Sequence, residues 1–213
     1  MKSEWGTCRN MDQQIDLILF DLGGVLVDLR PTPLPEAWLP DGQTFDSIDW
    51  FRSDTALQFE CGSLSPEAFA GALQCELELD VAVPDIIAEF TRWPIGLRAG
   101  ARELLTRLRR DCSLAALTNT NALHWPRLIH EFRLPDYFSQ IFASHLLHLA
   151  KPDPRIFHHV MDALSVAPEH ILFFDDNPEN VATAATLGIH SCRVNSIDQI
   201  RCKLRDFAFP AGH

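Results

Sequence analysis

No stretch of this chain approaches the roughly 20 consecutive apolar residues of a membrane-spanning helix. Its opening residues, MKSEWGTCRNMDQQ, are polar and lack the apolar core of a signal peptide. A cytoplasmic protein is expected, with two readings open at the start: Met11 is the true first residue, or the first ten residues are a loose tail. Positive charge is scarce: 18 Lys and Arg stand against 29 Asp and Glu, a formal net charge of -11 at pH 7. Nucleic acid and anionic membrane both require a basic face, so neither is expected as a partner. A small anionic substrate would require local cations or a metal to offset the background. The six cysteines (Cys8, Cys61, Cys75, Cys112, Cys192, Cys202) form no CxxC pair, and neither zinc nor disulfide roles are expected of them. Repeats and low-complexity tracts are missing too, and oligomeric state is left open.

What is present fits one good-sized domain, or a core with a smaller insert, in 213 residues. Residues 15–20, with the apolar run Leu17-Ile-Leu-Phe20, read as a buried first strand that ends on Asp21-Leu22-Gly23-Gly24. A carboxylate where a buried strand gives way to glycines is exposed at the carboxyl edge of a sheet, where open α/β folds bind ligands. From Pro31 to Pro94 prolines, tryptophans and acids dominate. Ser65-Pro66 there is a good helix start, Ser as N-cap and Pro at the first helical position, and Pro84 opens a second short helix. From Leu97 onward apolar strands (Ser113–Leu117, Ile141–Ser144, Ile171–Phe174, near Cys192–Val194) alternate with helices, as in a parallel sheet covered on both faces. The division expected is a tail over 1–14, an α/β core from 15–30 and 95–213, and a small helical insert over 31–94.

In a parallel sheet all strand carboxyl ends share one edge. Asp21, Thr118/Asn119 and Asp175/Asp176 each follow such a strand, and Lys151 sits in a loop able to reach the same edge. Paired carboxylates hold a hard cation such as Mg²⁺ through oxygen. Lys and the Thr/Asn donors bind phosphate oxygens, and one carboxylate stays free to attack phosphorus. The bland alternatives are a turn residue for Asp21, a solvated loop lysine for Lys151, and helix-terminal roles for Thr118, Asn119, Asp175 and Asp176. His124, His145, His148, His158 and His159 have no paired-ligand context, and Asp28 reads as structural. Trp38, Trp50, Phe51 and Arg52 either face the site or form the insert's own core.

FDLGGVLVD, LTNTN, AKPDPRIF and FFDDNPENV, in that order, resemble the four motifs of the haloacid dehalogenase-like hydrolases. The resemblance covers nearly all of residues 15–207 and puts the helical insert in the place of that family's cap. It implies a Rossmann-like, doubly wound parallel sheet and a Mg²⁺-dependent phosphatase acting on a small phosphorylated metabolite, with sugar phosphates among the candidates. Asp21 matches the nucleophile that forms an aspartyl-phosphate. Asp176 matches the main metal-ligating carboxylate, with Asp175 a second ligand or an outer partner, and Gly23 matches a backbone carbonyl ligand. Thr118 and Asn119 match the phosphate-binding motif, Lys151 the bridging cation, and Asn180 a position that orients the metal site.

One departure stands out. Most phosphatases of the family carry Asp two residues after the nucleophile, as acid and base, where this chain has Gly23. The FDLG form resembles a bacterial branch that includes an α-glucose-1-phosphate phosphatase. His124 and a carboxylate of the insert are the candidates to replace the missing acid. Two alternatives follow: a metal-independent 2-haloacid dehalogenase, in which Asp21 attacks carbon, and a non-catalytic binding protein on a degenerate scaffold.

Overall fold

The structure is a computed structural model describing residues 14–45, 53–207 and 209. Residues 1–13 of the tail, and Trp50, Phe51 and Arg52 of the insert, lie outside the described residues.

β1 (Leu17–Phe20) leads through Asp21 into a tight turn and β2 (Val27–Leu29). Helices α1 (Asp54–Glu60), α2 (Pro66–Glu76) and α3 (Val83–Thr91) follow, then β3 (Pro94–Leu97) returns antiparallel to β2. The rest alternates: α4 (Ala101–Leu108), β4 (Ser113–Thr118), β5 (Gln140–Ala143), α5 (Ser144–Leu147), α6 (Pro154–Leu164), β6 (Ile171–Asp175), α7 (Pro178–Thr186), β7 (His190–Arg193) and α8 (Ile197–Asp206). The helix expected near residues 124–131 is a short π-helical turn, Arg127–Glu131.

The five-stranded sheet has the order β5-β4-β1-β6-β7 and is parallel throughout. This is the expected Rossmann-like α/β architecture. Strand residues alternate between two hydrophobic layers, as period-2 geometry requires. Ile18, Phe20, Leu114, Ala116, Leu172 and Phe174 pack with α4 and α8. Leu17, Leu19, Ala115, Leu117, Ile171 and Phe173 pack with Ile156, Phe157 and Val160 of α6 and Ala184 of α7. With both faces covered, the central strands are apolar up to the carboxyl edge: all of β1, β4 from Leu114 to Leu117 and β6 from Ile171 to Phe174. The chain builds outward from β1 in both directions, so the crevice where ligands bind opens at the end of β1.

The helices between β2 and β3 have a separate core. Phe59 of α1 stacks on Phe69 of α2 with ring centroids 4.1 Å apart, and Phe90 of α3 lies 4.8 Å from Phe69. Ser65 caps α2 by accepting the Ala68 N–H, as its position before Pro66 indicated. Trp38 packs against this cluster. Neither α1 nor the β2–β3 ribbon was foreseen. Both are short, and α1 buries only Ala56 and Phe59, too little to print a helical period in the sequence.

Candidate active site

Parallel register sets the geometry of the crevice. Phe20, the last residue of β1, is level with Ala116 of β4 and Phe174 of β6. Asp21 and Asp175 therefore emerge side by side, and the Asp21 N–H donates to the Phe174 carbonyl at 2.8 Å. Lys151 enters between them from the loop before α6. Its Nζ donates to Asp21 Oδ1 at 2.7 Å and to Asp175 Oδ2 at 2.6 Å. Asp175 is further held by the Asn177 N–H at 2.8 Å and by Asn180 Nδ2 at 3.0 Å from both carboxylate oxygens. Asp21, Lys151, Asp175, Thr118 and Asn180 are all buried.

The loop that delivers Lys151 is pinned by Asn119. Its side chain accepts the Lys151 N–H and donates to the Lys151 carbonyl, both at 2.9 Å. The Asn119 side chain is thereby committed to the Lys151 backbone. Ser144 fixes the same turn by accepting the Thr120 N–H at 2.9 Å and donating to the Thr120 carbonyl at 3.0 Å.

Asp21, Asp175 and Asp176 each offer an oxygen within 4.8 Å of the others. Three carboxylates against one ammonium leave an excess of negative charge in a buried place. Burial pushes Asp21 up to about 7, with Lys151 opposing and Asp175 adding to the rise. Burial also raises Asp176, with Asp175 adding. Burial alone would lower Lys151, but Asp175 and Asp21 outweigh it and hold the ammonium charged. A divalent cation would relieve the carboxylate excess, and the all-oxygen donor set suits Mg²⁺. Gly24 makes room for the cluster: its φ is +74°, and a Cβ there would lie 2.3 Å from Asp176 Oδ2. Gly23 is not constrained in this way, since a Cβ would meet only Leu29 Cδ1 at 3.5 Å.

These residues form the floor of a cavity of about 750 Å³, roofed by the helical region. Its apolar lining comprises Leu22, Val27, Leu29, Leu57, Trp93 and Leu128, among a larger number of polar residues. The structure thus brings together Asp21, Gly23, Thr118, Asn119, Lys151, Asp175, Asp176 and Asn180 around one space. His124 reaches the same cavity, but both its ring nitrogens are engaged: Nε2 with the Phe90 carbonyl at 2.9 Å and Nδ1 with Asn121 Nδ2 at 3.1 Å. Asp28 is paired with Arg98 at 2.9 Å. His145 and His148 lie on or after α5, away from the carboxylate cluster. Glu60, the last residue of α1, is a cavity residue that sequence reasoning had not singled out. Its only advance signal was its membership of the insert's acidic residues.

A family model for haloacid dehalogenase-like hydrolases matches residues 15–188. A sesquiterpene phosphatase of Aspergillus oryzae is 30% identical over 174 residues, covering 80% of this chain and 85% of that protein. A D-ribitol-5-phosphate phosphatase of Bacteroides thetaiotaomicron is 28% identical over 192 residues, covering 82% and 89%. Among solved structures, a haloacid dehalogenase family enzyme from Bacteroides thetaiotaomicron, in complex with magnesium and inorganic phosphate, superposes with a TM-score of 0.70 at 28% identity. That match covers 84% of this chain and 93% of the other.

Proposed function

The chain belongs to the haloacid dehalogenase-like hydrolases and is a phosphatase of that family; we propose that it needs Mg²⁺ and hydrolyses a small phosphomonoester through an aspartyl-phosphate on Asp21. The observation that carries this reading is the buried bridge from Lys151 to both Asp21 and Asp175 inside a three-carboxylate cluster. A nucleophile that must attack an anionic phosphoryl group requires positive charge beside it, and the lysine supplies part of that. Asp21, Asp175, Asp176 and the Gly23 carbonyl would hold Mg²⁺, which when bound supplies the remaining charge on the transferring group. Asn180 keeps Asp175 oriented. Thr118, Asn119 and Lys151 would grip the phosphate oxygens, and the helical region over 31–94 would act as the cap that excludes water and selects the leaving group.

The relatives range from a sesquiterpene phosphatase to a D-ribitol-5-phosphate phosphatase. The cavity offers both apolar side chains and polar groups to a leaving group, so both classes of alcohol belong in the test. No helix among the described residues is long and apolar enough to cross a membrane.

The test is phosphate release from a panel of phosphomonoesters, sugar phosphates and apolar alcohol phosphates together, with Mg²⁺ and with chelator. Asp21→Asn should reduce turnover by at least about 10⁴-fold, because it removes the nucleophile itself. Turnover of a haloacid in chelator would instead establish carbon attack. Magnesium binding with no turnover of any ester would indicate a scaffold that has lost catalysis.

A further inference from the structure

An ester oxygen that leaves phosphorus as an alkoxide needs a proton, and few cavity groups can give one. In the reading above Asp21 is the nucleophile, while Asp175 and Asp176 belong to the metal cluster. Lys151 is clamped between two carboxylates. Both ring nitrogens of His124 are engaged. Glu179 lies exposed at the rim. Gly23 has no side chain. Glu60 remains.

Its position is fixed from outside the sheet. Phe59, the preceding residue, is locked in the stacked pair with Phe69. Two residues on, Gly62 has φ +70°, and a Cβ there would lie 2.3 Å from the His145 carbonyl oxygen. The chain on both sides of Glu60 is therefore held, one side by the aromatic cluster and the other by α5. The carboxyl projects into the cavity wall beside the Asn119 amide and within electrostatic reach of Lys151.

We propose that Glu60 is the acid–base group of the reaction, doing from the helical region what no side chain at Gly23 can do. This rests on the phosphatase reading of the site. In the first half-reaction an Asp21 carboxylate oxygen bonds to phosphorus as the phosphorus–ester oxygen bond breaks, and the departing oxygen takes the Glu60 proton. In the second, water attacks phosphorus, the bond to Asp21 breaks, and the water proton passes to the Glu60 carboxylate. Ester and water become alcohol and phosphate, and Glu60 ends as it began.

Burial pushes Glu60 up to about 7, against the opposing pull of Lys151 and the Asn119 amide. A carboxyl of that kind holds a proton near neutrality and can also accept one. The charged and titratable groups around it are Lys151 across the cavity, Cys61 on its own turn, Asp153 beyond Cys61, and His145 and His148 from α5. His148 Nδ1 contacts the Cys61 carbonyl at 2.9 Å rather than Glu60.

The experiment compares hexyl phosphate, whose alkoxide needs protonation, with p-nitrophenyl phosphate, whose leaving group does not. In Glu60→Gln, kcat/KM for hexyl phosphate should fall on the order of 10²–10⁴-fold, while the p-nitrophenyl ester changes by less than about tenfold. For the wild type, kcat/KM for hexyl phosphate relative to that for the p-nitrophenyl ester should decline as pH rises through about 7, where Glu60 loses its proton. Ionisation of Asp21 acts on both esters alike and cancels in the ratio. Glu60→Gln should lose that decline, and Glu60→Asp, which keeps a carboxyl in the same wall, should retain it. Equal losses on the two esters, or the same flat profile in both variants, would overturn the proposal. If the wild type releases phosphate and Glu60→Gln loses nothing on hexyl phosphate, the acid–base role alone falls. If the wild type hydrolyses neither ester with Mg²⁺, the phosphatase reading falls and this role with it.

Discussion

The sheet edge and the helical roof contribute to the same cavity by opposite means. At the sheet edge, charges are built in and locked: Asp175 accepts from Lys151, Asn177 and Asn180 at once, and Lys151 has donors committed to two carboxylates. The roof offers Glu60, which sits at the end of a seven-residue helix and has the Asn119 amide for company. A locked ion-pair network stabilises charge but cannot readily move a proton. A half-buried carboxyl with few partners can. The comparison suggests a division of labour, with nucleophile and metal site on the rigid sheet and proton transfer on the region that also meets the leaving group.

Breaking the locked side should have the largest effect. Lys151→Met leaves Asp21 and Asp175 facing each other without their shared cation. Stripping one member from a buried charge network costs about 3–5 kcal/mol, and chemical denaturation in chelator should show a loss of that order. Added Mg²⁺ should restore part of it. A variant as stable as the wild type in chelator would mean that the network is not the rigid element described here.

The seam between the two regions gives a pH-dependent test. His124 follows β4 yet bonds the Phe90 carbonyl of α3 and stacks on the Phe90 ring at 4.6 Å. Burial lowers it from 6.5 to about 4; the Phe90 carbonyl opposes that fall and Arg127 adds to it. The folded state therefore binds this proton more weakly than the unfolded chain. Stability from the neutral ring is fully present above pH 6.5 and is lost as pH falls toward 4, by roughly 3 kcal/mol at about 1.4 kcal/mol per pKa unit. His124→Gln should be weaker at pH 7 but lose less on acidification to pH 4.5, measured by urea unfolding at each pH. Parallel losses in the two proteins would remove His124 as the acid-sensitive element of the seam.

The smallest effect separates two adjacent glycines. Gly24→Ala forces a side chain into a left-handed backbone and against Asp176, and should cost about 1–3 kcal/mol. Gly23→Ala meets only ordinary contact with Leu29, and its melting temperature should stay within the shift expected of about 1 kcal/mol. Equal effects at the two positions would show that the carboxylate cluster does not need the space at Gly24.

Much of the site was legible because buried parallel strands are apolar without interruption. Where such a run stops at Asp21, Thr118 or Asp175, the stop itself marks the functional edge. Lys151 needed the ordered motif set, since a lysine before proline in a loop has no local signature, and its arrival between two carboxylates depends on Asn119 holding its backbone. The β2–β3 ribbon escaped because strands of three and four residues with a register shift show no clean alternation.

The sequence by itself determined the sheet, its two covered faces and the polar residues at its edge, since these follow from hydrophobic period and from where it ends. Only the tertiary structure decided that Glu60 faces the cavity, that both His124 nitrogens are taken, and that Gly24 rather than Gly23 is sterically required. Those outcomes depend on which surfaces of separate segments meet, and contacts between residues far apart in the chain leave no periodic trace in any one stretch of it.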